Sequence, residues 1–229
     1  MPDAFTLDTF THRATELLPE LLVALGQTLT MLGIGLGAAL LLGGPLGILL
    51  FLVGDGQSLQ NRTLAAVLGW VVNTVRSFPF IILLVALVPF TRVIAGSSIG
   101  PLAAAVPLSV AAIPYFARLV EQTLREVPRG VIEAAQAMGA SELQIVIRVL
   151  LVEARAGLVL ALTVLAISFL SYSAVAGVVG GGGIGDLAIR YGYYRFETDV
   201  MVFTVALLIV LVQLIQFAGT RVARRLDKR

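Results

Sequence analysis

The 229-residue chain has no cysteine, a single histidine and a single tryptophan, and only 13% of its positions are charged. Without cysteine there is no disulfide and no thiolate metal site, so the redox compartment leaves no mark on this sequence. The one histidine, His12, lies in a polar N-terminal stretch, apart from the apolar remainder. The charges also avoid long tracts. No Asp, Glu, Lys, Arg or His occurs between Glu20 and Asp55, Arg92 and Arg118, Arg155 and Asp186, or Asp199 and Arg221.

What fills those tracts is hydrophobic, and hydrophobic residues make up 58% of the whole, too many for an ordinary soluble domain. A helix needs about 20 apolar residues to cross the hydrocarbon core, and each uncharged tract is long enough. Backbone in lipid must satisfy its own hydrogen bonds, which selects helices. The strands of a β-barrel would be shorter and would alternate in polarity, and these tracts do not. The fold class expected is an all-α integral membrane protein.

Five spans are expected. The first lies within Leu21 to Val53, with Pro45 as a kink and with Gly33/Gly37 and Gly43/Gly47 as small-xxx-small pairs for close helix packing. The others are some part of Leu64 to Phe90, then about Ile99 to Ala117, Ala156 to Gly177 and Val200 to Gly219. Residues 1–20 read as an N-terminal leader with Asp3, Asp8, Glu16 and Glu20 against Arg13. It lacks the positive start and small-residue cleavage site of a signal peptide, so the first helix is expected to stay in place.

Lys and Arg concentrate on the cytoplasmic side of membrane proteins. With five spans, the tail (Arg221, Arg224, Arg225, Lys228, Arg229) shares a side with Arg62 and with the long third loop (Arg125, Arg129, Arg148, Arg155). Arg13, Arg92, Arg190 and Arg195 fall on the other side. The expectation is an outside N-terminus and a cytoplasmic C-terminus. Arg76 alone lies inside a span. An intramembrane arginine is costly and is by default functional or paired. Alternatively Leu64 to Thr74 runs along the inner interface and Arg76 snorkels to the headgroups, since Arg62 to Val93 would cover about 46 Å as helix, more than the core requires.

The third loop, about residues 126–151, carries helix signals of its own. Pro128 suits a first helical position. Val131, Ile132, Ala134, Ala135 and Met138 follow at spacings that make one apolar side. Gly139 then suits a left-handed helix end, and Ser141-Glu142-Leu143-Gln144 fits a capping box that starts a second helix. Two short helices joined by a glycine elbow are expected between the third and fourth spans.

Glu133-Ala134-Ala135 with Gly139-Ala140 three residues on resembles the EAA motif of ABC importer permeases, with Val152 standing where that family usually has proline. Further segments are similar to methionine ABC importer permeases from about Gly26 onward. They are Arg76 to Val85, Pro89 to Ile94, Tyr172-Ser173-Ala174, the glycine run Gly180 to Gly185, Tyr191-Gly192-Tyr193 and Ile215 to Gly219. The resemblance implies a type I fold in which residues 21–229 form one transmembrane domain of five helices, in a bacterial inner membrane. It implies a homodimer, two copies of a cytoplasmic ABC ATPase that uses ATP and Mg, and an extracytoplasmic lipoprotein delivering methionine, L- or D-. It makes Glu133, Ala134, Ala135, Met138, Gly139, Ala140 and Ser141 the coupling helix element. The fourth span, at Ser171, Tyr172, Ser173, Val175 and Gly177, is the candidate pathway lining, because small and polar residues cluster there.

Other readings stay in view. Gly180 to Gly185 contains G-x-G-x-x-G, but it follows a membrane helix rather than a strand, so dinucleotide binding is not expected; flexible glycines at the outer mouth of a pathway are. There is no phosphate-binding lysine loop, so no cofactor, nucleotide or metal is expected on this chain, and no nucleic acid. A secondary transporter would place acidic or histidine groups within its spans. A channel would leave the helix elbow unexplained, and Ser168, Ser171 and Ser173 have no histidine to make them an intramembrane enzyme. These serines are expected to hydrogen-bond between helices. Transport of another amino acid or small solute remains the alternative to methionine.

Overall fold

The computed structural model describes residues 7–227, and among these there is no strand. Asp3 of the leader and Lys228 and Arg229 of the basic tail lie outside the described residues. Helix α1 (Leu7–Ala38) begins well inside the stretch read as a leader. A π-helical turn, Ala39–Gly43, joins it to α2 (Gly44–Val53). Pro45 accounts for that turn. Its ring has no N–H to donate and would collide with the carbonyl four residues back, so the helix widens by one residue just before it. Gly44 N–H accordingly reaches Ala39 O, five residues away. The membrane-capable stretch runs Thr15–Val53, 39 residues, so the leader's last six residues belong to that stretch and Glu16 and Glu20 sit inside it.

The expected second span is not one straight helix. Asn61 accepts the Leu64 N–H and caps α3 (Arg62–Ser77), which ends before Pro79. The residue before a proline avoids the helical region, and Phe78 is extended at φ −73°, ψ 131°. The chain turns by 99° into α4 (Phe80–Ala86), followed by α5 (Val88–Ala95). Arg76 is therefore in the last turn of α3, where a cation complements the helix dipole, and its guanidinium stacks 5.5 Å from the Tyr115 ring centroid. The remaining long helices are α6 (Pro101–Arg125), α10 (Arg155–Ala176) and α12 (Thr198–Leu226), each carrying the expected span. Between α6 and α10 lie α7 (Arg129–Ala137), α8 (Glu142–Gln144) and α9 (Leu151–Glu153); α11 (Gly183–Leu187) precedes α12. Among the described residues four stretches are thus long and apolar enough to cross a membrane, and five if the bent pair is one crossing.

The helices group into two compact bodies. The first comprises the chain up to Ile34, Ile81–Leu108 and Phe169–Leu214. Leu17 and Ala24 of α1 pack there with Ile184, Leu187 and Val200. At the start of α12, Asp199 accepts from Arg13 Nε at 2.9 Å. The Asp199 hydrogen bond and charge, with Glu16, hold the Arg13 guanidinium above its ordinary range.

The second body comprises Gly35–Phe80, Ser109–Ser168 and Ile215–Arg229. Its center joins Leu50 of α2, Val72 of α3 and Ala117 of α6. Helices α2 and α6 cross backbone to backbone. A Cβ on Gly43 would stand 2.6 Å from Ile113 O, and one on Gly47 would stand 2.5 Å from Ala117 O. Only this half of the expected glycine pattern packs within the described chain, since Gly33 and Gly37 have open space where a Cβ would be. Gly47→Val should therefore lower thermal stability in detergent by about 1–3 kcal/mol through overpacking, whereas Gly33→Val should stay within about 0.5 kcal/mol. Equal losses for the two, measured by helical circular dichroism on heating, would show that the α2–α6 crossing does not depend on glycine.

Candidate functional site

The elbow between α6 and α10 forms as the residues require. Gly139 takes φ +79°, where a β-carbon is strained, and two backbone bonds close the end of α7: Gly139 N–H to Gln136 O at 2.9 Å and Ala140 N–H to Ala135 O at 3.1 Å. This is a Schellman pair, which satisfies carbonyls a helix end otherwise leaves open. Ser141 Oγ then accepts the Gln144 N–H while Gln144 Oε1 accepts the Ser141 N–H, the full capping box. Pro128 sits one residue earlier than expected, at the cap rather than the first helical position. After α8 the chain runs through a π-helical turn, Ile145–Leu150, into α9. Val152, where proline is usual, stays inside α9, and the bend falls at Ala154 instead. Arg155, the first residue of α10, donates from Nε to Leu226 O at 2.8 Å and so closes the end of α12.

The single apolar side expected of α7 divides in two. Ile132 and Ala135 turn into the second body, with Ala135 only 5% exposed; Val131, Ala134 and Met138 turn out, with Met138 82% exposed. Leu143 of α8 adds a further outward apolar side chain. The small size of Ala135 thus serves packing within the chain, and the outward face is carried by Ala134, Met138 and Leu143. Glu133, with Arg129, Gln136 and Glu142, borders a cavity of about 120 Å³ against Gly56–Ser58 of the α2–α3 loop. Ser141 and Gly139 are exposed, and Ala140 is half-buried.

The residues picked out in the fourth span do not share one face. Ser171 is exposed and Val175 partly so, one turn apart. Tyr172 is half-buried, edge-on to Phe169 with centroids 5.0 Å apart. Ser173 is buried, and its hydroxyl donates to Leu170 O of its own helix rather than across to another. Gly177 is buried because the backbone of Gly185 and Asp186 lies where its Cβ would be, and Gly185 meets Ala174 in the same way.

The glycine run is packed rather than loose. Gly182 and Gly183 both have positive φ. Gln27 Oε1 accepts the Gly183 N–H at 2.7 Å, and Thr28 Oγ1 accepts the Ile184 N–H at 3.0 Å. Side chains of α1 thereby hold the turn into α11. Sequence reasoning missed these two residues, although polar groups within the otherwise uncharged first span were a signal available for finding them.

Comparison with known proteins shows the family and the fold. A family described as the binding-protein-dependent transport system inner membrane component matches residues 43–229. The chain is 49% identical over 209 residues to the probable D-methionine transport system permease protein MetI of Vibrio cholerae, covering 91% of this chain and 93% of that one. It is 41% identical over 181 residues to the methionine import system permease protein MetP of Bacillus subtilis, covering 79% and 82%. An inward-facing structure of the MetNI methionine ABC transporter superposes with a TM-score of 0.90 at 45% identity, over 94% of this chain and 99% of that chain. An amino acid ABC transporter crystallised with histidines shares the fold at a TM-score of 0.76 and 18% identity, over 93% and 97%. The chain therefore belongs to the family of binding-protein-dependent transport system inner membrane components.

Proposed function

We propose that this chain is the permease subunit of an ATP-driven importer for methionine, L- and D-, working as a homodimer with two copies of a cytoplasmic ATPase and an extracytoplasmic binding lipoprotein. The observation that carries the reading is the elbow, a doubly capped pair of short helices set between membrane helices α6 and α10, with Ala134, Met138 and Leu143 facing outward. Such a face suits a cleft on a partner protein, and membership of a transport-system family supports the ATPase as that partner. Nucleotide and Mg belong to that subunit and the chemistry is done there; this chain supplies the pathway and the docking element. Methionine is supported by the names of relatives at 41% and 49% identity. The basic residues around the elbow and tail support a cytoplasmic C-terminus, and hence an outside N-terminus for an odd number of crossings.

Three outcomes are expected. Met138→Asp should leave the permease's own melting temperature unchanged but weaken co-purification of the ATPase about tenfold, since burial of one large apolar side chain is lost. Ala135→Leu should do the reverse and lower the permease's stability first. Gly139→Val forces a β-branched residue into the left-handed region, at about 1–2 kcal/mol, and should uncouple ATP hydrolysis from transport. If Met138→Asp and Gly139→Val both assemble and transport normally, the elbow is not the docking element.

With ATPase and binding lipoprotein reconstituted, uptake of labelled L-methionine should saturate and be competed by D-methionine. Saturable uptake of another amino acid that methionine does not compete would overturn the substrate. For orientation, cysteine placed at Asp8 should react with an impermeant thiol reagent in spheroplasts and cysteine at Asp227 should not; the opposite pattern would invert the topology.

A further inference from the structure

Glu20, with Glu16, lies in the first part of the first membrane-capable stretch, immediately before its uncharged tract, and it lines a groove. Side chains on α1 advance by about 100° per residue. On that wheel the exposed Leu18, Leu22 and Leu29 gather on one side, and Glu20 and Gln27 stand opposite them. Lipid-facing surfaces of membrane helices are apolar, and ionisable groups within spans face the bundle interior or a water-filled cavity. The Glu20–Gln27 side, which also carries the exposed Val23 and Ile34, is therefore distinct from the leucine face. Between it and the α11 segment lies a groove of about 300 Å³, at the lower end of the range for small-ligand sites.

The groove carries both charges and an apolar wall. Glu20 is exposed in it and makes no ion pair among the described residues. Asp186 is already engaged by one N–H of Arg190, which leaves that guanidinium four further donors. Gln27 spends its carbonyl on the Gly183 N–H, so its amide N–H groups remain to donate. Val23, Leu187 and Tyr191 supply the apolar lining.

We propose that this groove is an outer-side subsite for a zwitterionic amino acid with an apolar side chain. Arg190 and the Gln27 amide receive the carboxylate, Glu20 receives the ammonium, and Val23, Leu187 and Tyr191 cover the side chain. The proposal rests on the importer reading and adds to it a holding place on the permease itself. A lipid headgroup bearing phosphate and ammonium offers the same pair of charges, but the leucine face for lipid is on the far side of α1.

The test is equilibrium binding of labelled L-methionine to the permease assembled with its ATPase, in nanodiscs of phosphatidylglycerol alone and without the binding lipoprotein. Norleucine should compete; methioninamide, which lacks the carboxylate, and N-acetylmethionine, which lacks the ammonium, should not. Glu20→Gln and Arg190→Gln should each weaken binding about tenfold, the loss expected for a charged hydrogen bond. Arg190→Gln also removes a partner of Asp186, so Val23→Trp, at an exposed position, provides a second variant that fills the groove without disturbing the core. No saturable binding, binding unchanged in all three variants, or competition by the two derivatives as strong as that of norleucine overturns the subsite. Phosphatidylethanolamine retained by wild type and released by Glu20→Gln, with no amino acid bound, assigns the groove to lipid and also overturns it. Uptake by the reconstituted system separates the two claims. Normal methionine uptake without binding in the groove sinks the subsite alone. Charge-dependent binding of a different amino acid, with no methionine uptake, sinks the methionine reading and leaves the subsite standing.

Discussion

Helices surrounded by lipid gain little by burying one apolar side chain against another, because the lipid tails already offer the same environment; what remains is close packing and polar contact. The structure depends on that constraint. Where α2 crosses α6, the carbonyls of Ile113 and Ala117 occupy the space that a β-carbon on Gly43 or Gly47 would need. The same device recurs in the first body, where Gly177 and Gly185 let α10 and α11 meet backbone to backbone. The backbone approach then brings polar groups within reach: Gln27 and Thr28 can satisfy two α11 amides only because Gly182 and Gly183 present no side chain there.

Charge is used sparingly, and where it is most deeply buried it has company. Glu121 of α6 is 4% exposed, and it is held between Arg118 and Arg125, with Arg118 Nη2 donating onward to Asn73 of α3 at 2.9 Å. A lone buried carboxylate would be costly, whereas two guanidiniums and their hydrogen bonds offset most of its lost hydration. The cluster also fixes α3 against α6, alongside the Leu50–Val72–Ala117 cluster and the Arg76–Tyr115 stack, which matters because the chain turns sharply after α3 at Pro79.

Much of this was legible in the residues because the governing rules are local. Uncharged tracts gave the long helices, and Gly139, Ser141 and Gln144 gave the elbow down to its individual hydrogen bonds, since caps involve residues no more than five apart. Direction was harder. Val131, Ile132, Ala134, Ala135 and Met138 read as one apolar side, yet two of them face in and three face out, because this loop carries apolar side chains both toward the interior and on its outward surface. The start of the first helix was hard to place for a related reason. Asp8, Glu16 and Glu20 suggested an aqueous segment, but Arg13 bonding with Asp199 and the packing of Leu17 and Ala24 extend the helix outward. The bend at Phe78–Pro79 was visible as a proline; its angle was not, because it depends on contacts of α3 that are distant in sequence.

The elbow's self-sufficiency has a consequence for how force would pass through it. Every bond that shapes it, the two closing α7 and the two opening α8, lies within the chain. In the proposed docking a partner would not need to create the fold, and the binding energy from covering Met138 and Leu143 would not be spent on ordering it. A displacement applied at that face reaches α10 through only ten residues, Ile145 to Ala154, of which six form a wider π-helical turn and one is the bend at Ala154. The start of α10 is in turn tied to the end of α12 through Arg155 and Leu226. Stiff caps on one side of a short, locally loosened connection are what a rigid handle on a movable helix requires. For that reason the strain introduced by Gly139→Val would act on the aim of α8 while leaving the hydrogen bonds that define α10 and α12 unaffected.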